Sequence, residues 1–308
     1  MKLITRRYNS DRDDERIRQF LRDVFLSNDR HEWSWPLYRW DYWRWFINPN
    51  ISRYRLEAAL FLWETPAGEL AALVNPDSPG EACLQVHPQW RSPELEVEMM
   101  MAAETHFAVS RPDGVQRLTL WVPGADGLRQ DILRRRGYRR QPGAEYQRRR
   151  DMARPIAPAP MPAGYACRPL GEVDEHPARS WLSWRVFHPD EPDERYGGYA
   201  WYCDVQRAPL YRRDLDLVAV APGGELAAFC TLWYDEATRT AGFEPVGTHP
   251  DHQRKGVGRA LMTEGLRRGS ALGATLCTVG SYSEAAHVLY ASVGFTEYDL
   301  SEPWFKEW

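Results

Sequence analysis

The stretch Glu-Pro-Val-Gly-Thr-His-Pro-Asp-His-Gln-Arg-Lys-Gly-Val-Gly-Arg-Ala, residues 244–260, concentrates groups that suit an anionic ligand. Residues 241–248 read as an extended segment, Pro250-Asp251 as a turn, and the residues from Gly256 as the start of a long helix. Gly256 and Gly258 carry no Cβ, so the backbone there can approach a bound group closely. The first amides of a helix have no partner inside it, and the helix dipole puts partial positive charge at that end. Arg254, Lys255 and Arg259 add full charges around it. Such a helix start would hold a phosphate-bearing ligand.

Two common glycine loops do not fit the pattern. A dinucleotide turn needs Gly-x-Gly-x-x-Gly and an acidic residue about 20 positions on. Leu261 stands at the third glycine position, and no acid follows the next strand. A nucleoside-triphosphate loop needs Gly-Lys-Ser/Thr, which is absent.

Gln253-Arg-Lys-Gly-Val-Gly258-Arg-Ala resembles the Gln/Arg-x-x-Gly-x-Gly/Ala pyrophosphate loop of the GNAT-type N-acyltransferases, which bind acyl-coenzyme A. Downstream, Ala286-His-Val-Leu-Tyr290-Ala-Ser-Val-Gly294-Phe295 is similar to the family's Ala-x-x-x-Tyr-x-x-x-Gly-Phe segment, whose tyrosine faces the coenzyme sulfur. The specific motifs lie within residues 164–308. The resemblance implies acetyl-coenzyme A (acetyl-CoA) as co-substrate, no metal, and transfer of an acetyl group to the primary amine of a small molecule. It implies Tyr290 as the acid that protonates the leaving thiolate. Glu244, at the start of the motif strand, is the implied base. His249 and His252 titrate closer to neutral pH, but their positions in the family lie beside the coenzyme, so they rank second. Gln253, Arg254, Lys255, Gly256, Val257, Gly258 and Arg259 would hold the pyrophosphate. Val246, Gly247 and Thr248 would offer backbone groups to the pantetheine arm and the thioester carbonyl. Where the family often has a coenzyme-contacting asparagine seven residues before the tyrosine, this chain has Ser283. A non-catalytic acyl-CoA sensor and a protein or peptide N-acetyltransferase are the alternatives. The presence of both Glu244 and Tyr290 favours an enzyme, since binding needs neither.

The elements that would position these residues repeat across the chain. In the second half a strand at 165–169, helical stretches at 172–187 and 193–206, a hairpin of 215–220 with 225–234, and the motif strand at 240–249 precede the loop. At about 100° per residue, Val257, Leu261, Met262, Gly265, Leu266, Gly269 and Leu272 share one side of the next helix, with Thr263, Arg267 and Ser270 opposite. A strand at 274–279, a helix at 283–293 and closing strands at 295–300 and 304–307 finish the series. The first half runs in the same order: strands at 3–8, 56–64, 69–74, 82–86 and 117–122, helices at 11–26, 94–109 and 127–136. Val86-His-Pro88 parallels Thr248-His-Pro250, and Gly137-Tyr138 mirrors Gly294-Phe295. The chemistry does not repeat. Gln-Trp-Arg-Ser-Pro-Glu-Leu-Glu replaces the glycine loop, and Leu133 stands where Tyr290 would.

The expected fold is therefore α/β in the α+β sense, with two tandem GNAT-like domains, each a mixed, mostly antiparallel sheet flanked by helices. This layout is similar to that of the mycothiol synthases. Residues 1–150 form a degenerate GNAT-like domain, 151–164 a proline-rich linker, and 165–308 an acetyltransferase domain with the acetyl-CoA site. Aromatic clusters at 33–46 and at Trp181, Trp184, Tyr196, Tyr199, Trp201 and Tyr202 either pack or line an acceptor pocket.

Composition sets limits. A chain of 308 residues with 43% hydrophobic residues suits two domains. No apolar run reaches membrane-spanning length, and the start lacks the apolar stretch of a signal peptide, so a cytoplasmic, non-membrane protein is expected. The five cysteines show no metal-ligand spacing. Residues 1–160 carry 25 Lys and Arg against 22 Asp and Glu, and residues 161–308 carry 14 against 21. Neither half has a nucleic-acid binder's charge, and the acidic second half would favour a cationic acceptor. Both a monomer and a homodimer are compatible with the sequence.

Overall fold

In the computed structural model, which describes residues 2–200 and 202–308, the chain forms two compact units. One comprises residues 2–43, 47–146 and 299–308, the other 44–46 and 147–298. Trp201, one of the candidate pocket aromatics, lies outside the described residues.

The chain runs through β1 (Ile4–Arg7), α1 (Ser10–Ser27), α2 (Leu37–Tyr42), α3 (Leu56–Ala59), β2 (Phe61–Glu64), β3 (Leu70–Pro76) and β4 (Glu81–Val86). It continues with α4 (Pro93–Phe107), β5 (Val109–Ser110), β6 (Gln116–Pro123), α5 (Gly127–Arg135), β7 (Arg139–Arg140) and β8 (Glu145–Asp151). The remainder is β9 (Ala166–Pro169), α6 (His176–Phe187), α7 (Tyr202–Val205), β10 (Asp216–Val220), β11 (Leu226–Asp235), β12 (Thr240–Thr248), α8 (Val257–Ala271), β13 (Leu276–Ser281), α9 (Glu284–Ser292) and β14 (Glu297–Glu307).

The strands follow one order in both units: β1-β2-β3-β4-β6-β14 within the first and β9-β10-β11-β12-β13-β8 within the second. The first four strands of each pair antiparallel, and the fourth then pairs parallel with the fifth. A parallel pair needs a crossover, which α4 supplies in one unit and α8 in the other. The repeat extends to single hydrogen bonds. His87 and His249 each end a fourth strand and accept, through the side chain, the amide two residues on. After the last helix of each series, Tyr138 donates its amide to Leu133 and Phe295 donates its amide to Tyr290, across Gly137 and Gly294 at φ +86° and +97°. Only a residue without Cβ enters that left-handed region cheaply, so both helices stop at the glycine.

The units do not follow the expected division at residues 150 and 165. Residues 147–150 belong to the second unit and 299–308 to the first. The sixth strand of each unit comes from the opposite half of the sequence: β14 completes the first series and β8 the second. β8 was not expected at all, because Tyr-Gln-Arg-Arg-Arg-Asp lacks apolar alternation. Its Arg148 and Arg150 are nevertheless buried and hydrogen-bonded. In the proline-rich stretch expected at 151–164, Asp151 ends β8 and the rest carries no helix or strand.

Local expectations fail where backbone chemistry overrides periodicity. The helix expected at 193–206 is reduced to α7 and one short turn at Asp193–Arg195, since the Gly197-Gly198 pair, with Gly198 at φ +89°, interrupts it. The first half of the strand expected at 56–64 is α3. The two expected closing strands are one, β14. In the aromatic cluster of the first half, Trp35, Tyr38, Trp40, Tyr42, Trp43 and Phe46 are buried, and Trp43 lies 5.4 Å from Trp40 and 5.9 Å from Trp35. These six rings are taken up in packing, while Trp33 and Trp45 of the same cluster are half-buried.

The core of the first unit gathers α4, α5 and the inner faces of β2 to β6, together with Trp304 of β14. Trp304→Ala should therefore destabilise the first unit by about 3–5 kcal/mol. Chemical denaturation followed by hydrogen exchange checks this, with the lost protection expected in residues 61–146 and not in 216–281.

Candidate active site

β12 and β13 pair from Thr240 with Leu276 to Phe243 with Val279, and there the ladder ends. Both strands run on, to Thr248 and Ser281, so a gap opens between them from Glu244. The sequence accounts for the parting. Pro245 has no amide to donate, and β12 bulges there, with Glu244 and Pro245 together opposite the single Thr231 of β11. Beyond the bulge β12 stays bonded to β11, and His249 donates its amide to Ala227. The alternation of an antiparallel ladder then turns the backbone groups of Val246 and Thr248 towards the gap. The Thr248 carbonyl is met by Gln253 Nε2 at 3.2 Å, which ties the loop back to its strand.

That loop wraps tightly. Arg254 and Gly256 adopt positive φ of 60° and 85° before α8 begins. The first helical amide to reach a carbonyl is that of Ala260, bonded to Gly256, so those of Val257, Gly258 and Arg259 have no intrahelical acceptor. Arg254, Lys255 and Arg259 are exposed, and among the described residues none of the three has an acidic partner. The two glycines divide their duties. A Cβ on Gly256 would meet only Pro162, at 3.9 Å, so its backbone faces open space. A Cβ on Gly258 would sit 2.9 Å from Thr248 Oγ1, so this glycine lets α8 press against β12. Gly265 and Gly269 continue the same close approach against Phe243 and Leu232. Thr263, expected on the outer side of α8, is buried, and its hydroxyl donates to the Arg259 carbonyl. Exposed amides, open backbone and unpaired cations at one helix start suit a pyrophosphate.

On the other wall, α9 starts at Ser283, whose hydroxyl accepts the Ala286 amide as an N-cap. Tyr290 lies two turns on and is buried. Burial pushes its phenol above the usual range, the nearby Glu244 carboxylate adds to that, and the positive charge of Arg148 opposes it. Tyr290 thus keeps its proton throughout the physiological range. His252 is held elsewhere, with its Nδ1 2.9 Å from the Tyr165 hydroxyl and its Nε2 3.4 Å from Glu225. His249 accepts the Asp251 amide.

Beneath Glu244 and Gly247 lies a buried layer that sequence reasoning missed. Trp233 donates its indole N–H to the Glu244 carbonyl, and Tyr211 packs edge-on against it at 6.2 Å. Asp216 accepts hydrogen bonds from Tyr202, Tyr211 and Thr231, and Arg179 Nε stands 3.7 Å from it. The Arg179 guanidinium lies 3.8 Å from the centre of the Phe229 ring. Phe229 fills the space a Gly247 side chain would need: a Cβ there would be 2.4 Å from Phe229 Cζ and 2.7 Å from Val186 of α6. These residues come from β10, β11, α6, α7 and the loop at Tyr211, and no local sequence pattern links them. Of the candidate pocket aromatics, Tyr202 belongs to this layer, Trp184 stacks on His188 at 3.9 Å, and Trp181 packs edge-on against Tyr196 at 5.1 Å.

Residues 214–297 match the family model of the acetyltransferase (GNAT) domain. That match lies wholly within the second unit. Solved structures of similar fold span nearly the whole chain. A GCN5-related N-acetyltransferase from Sphaerobacter thermophilus superposes with a TM-score of 0.68 at 15% identity, over 99% of this chain and 95% of its own. A tandem GNAT protein from the clavulanic acid biosynthesis pathway gives 0.66 at 16%, over 99% and 98%. A GNAT-family acetyltransferase from Colwellia psychrerythraea gives 0.61 at 14%, over 99% and 100%. No curated protein sequence matches the chain. The fold of these proteins thus covers both units, and the family-model match lies within the second.

Gly258→Ala should cost about 1–3 kcal/mol through overpacking against Thr248. A second change, Thr248→Ala, removes the Oγ1 that the new methyl meets and should recover most of that loss. Urea midpoints of the two variants check both statements.

Proposed function

We propose that the protein moves an acetyl group from acetyl-CoA to the primary amine of a small molecule by direct attack. The observation that carries this reading is the gap itself, which opens at Glu244, is walled by α9 with Tyr290, and ends at the cationic start of α8.

The loop from Gln253 to Arg259 would hold the pyrophosphate, through helix-start amides and the side chains of Arg254, Lys255 and Arg259. Val246, Gly247 and Thr248 would run beside the pantetheine arm, and the gap-facing amides of Val246 and Thr248 are placed to hydrogen-bond its amides or the thioester oxygen. Ser283, already engaged as an N-cap, keeps lone pairs for a further contact.

Acyl transfer to an amine has two proton problems. An alkyl ammonium of pKa about 10.4 is neutral in roughly one molecule in 2,500 at pH 7, a handicap of about 4.6 kcal/mol. Glu244, directly or through water, would take that proton as the nitrogen attacks the carbonyl carbon. As the new C–N bond forms, the nitrogen would lose its second proton to solvent, the C–S bond breaks, and Tyr290 would give its phenolic proton to the departing sulfur. Solvent then reprotonates the phenolate. For unperturbed groups the transfer from phenol to thiolate is uphill by about 1.5 pKa units, or about 2 kcal/mol. The burial of Tyr290 steepens it, which places a premium on any positive charge nearby.

Coenzyme A release from acetyl-CoA, followed with a thiol reagent across amines, amino acids, aminoglycosides and peptides, tests the proposal. Release should depend on one class of small amine. Tyr290→Phe and Glu244→Gln should each lower kcat about 10²- to 10³-fold with acetyl-CoA affinity unchanged. Tight acetyl-CoA binding without release for any amine would instead mark a sensor. Release confined to peptides would mark a protein acetyltransferase.

A further inference from the structure

β8 lies in the second unit although the first half of the sequence encodes it, and it brings two buried arginines to the end of α9. Arg150 donates from Nε to the Val293 carbonyl at 3.2 Å, and from Nη2 to the carbonyls of Arg154 and Pro155. A Cβ on Gly294 would lie 2.8 Å from Arg150 Nε, so the glycine of the turn makes room for this side chain. Arg148 donates from Nη1 to the Phe295 carbonyl and from Nε to Ser281 Oγ, both at 3.1 Å. Ser281 Oγ also lies 2.9 Å from Nδ1 of His287 on α9. Phe295 is the residue whose amide bonds the Tyr290 carbonyl and whose ring packs against the Tyr290 ring at 6.4 Å. Arg148 therefore grips the strand and the turn on either side of the tyrosine, and its guanidinium is fixed over the Tyr298 ring at 5.4 Å.

We propose that Arg148 is a positioning residue for acyl transfer: from a strand supplied by the first half of the sequence, it holds the turn that sets Tyr290 and keeps a fixed positive charge beside it. The inference rests on the reading of Tyr290 as the acid. A cation near the C-terminal end of a helix is favourable in its own right. Here it also favours the phenolate that forms when Tyr290 gives up its proton, and so counters the burial and the Glu244 charge that oppose that loss. The first half of the chain then contributes to the reaction through one strand, whatever else its own unit does.

The test compares Arg148→Gln, Arg148→Lys, Tyr290→Phe and the Arg148→Gln/Tyr290→Phe double variant, with acetyl-CoA and the amine that the wild-type protein turns over fastest. Arg148→Gln should lower kcat about 10- to 100-fold while the KM for acetyl-CoA stays within about twofold, the range of a lost charged hydrogen bond. Arg148→Lys, which keeps the charge without the fork, should restore part of the rate. In the Tyr290→Phe background Arg148→Gln should add less than about twofold, because the interaction it serves is already gone. An Arg148→Gln protein with full activity, or one losing as much activity without Tyr290 as with it, overturns the proposal. Should Arg148→Gln fail to fold by near-ultraviolet circular dichroism, Arg148→Lys in both backgrounds carries the same comparison. Full activity of Tyr290→Phe would overturn the reading of the acid, and the inference with it. That result is distinct from a harmless Arg148→Gln beside a damaging Tyr290→Phe, which overturns the inference alone.

Discussion

Two strands that start in parallel register and then lose each other set the terms for the second unit. Once β12 and β13 part after Phe243 and Val279, backbone groups that would have faced a neighbouring strand face a gap. Backbone polar groups left without partners are costly unless water or a ligand satisfies them. The surrounding structure keeps the gap open without letting it spread. Pro245 and the β12 bulge it belongs to oppose re-pairing, Trp233 ties down the Glu244 carbonyl, and Phe229 closes over Gly247 from below. On the far side α8 is drawn onto β12 through Gly258, which brings its charged start to the mouth of the same gap.

The two units show how little of such a site belongs to the fold. The first has the same parallel junction, ending after Ala82 and Leu120, and the same histidine-capped turn. The helix after that turn carries the opposite charge. It opens with Ser92 as N-cap and has Glu94 and Glu96 in its first turn. Glu96 is buried, held by Arg129 and Arg91, and Asp126 joins the cluster through Arg91. The guanidinium groups hold the Glu96 carboxyl below the usual carboxylate range in spite of burial. The positive end of that helix is thus answered from within the chain, and phosphate oxygens would meet carboxylates. Leu133, in the place of Tyr290, has no proton to give.

Much of the second unit's site was legible from residue types alone, because the loop and the tyrosine segment are local. Gly256, Gly258 and Gly294 are needed where a side chain would collide or the backbone turns left-handed, and such needs leave a fixed spacing. The repeat was legible for the same reason, through paired His-Pro and Gly-aromatic steps. The features that stayed hidden depend on partners far apart in sequence. β8 reads as a charged surface segment until its arginines find the carbonyls of Val293 and Phe295. Asp216 and Arg179 look like solvent-facing residues until burial pairs them with each other and with three hydroxyls. Periodicity registers which side of an element is apolar. It carries no information about a charge satisfied by a distant neighbour.

The exchange of β8 and β14 also bears on how the protein is made. A chain emerging from the ribosome folds from its N-terminus as units become complete. Here the first unit is not complete until its last strand, residues 299–307, has been synthesised. The second unit, begun later, already holds its sixth strand when its own residues emerge. The half of the protein that is translated first is therefore the half that finishes last. A gene cut at the proline-rich stretch would yield one product short of its closing strand and another lacking two arginines, instead of two autonomous domains.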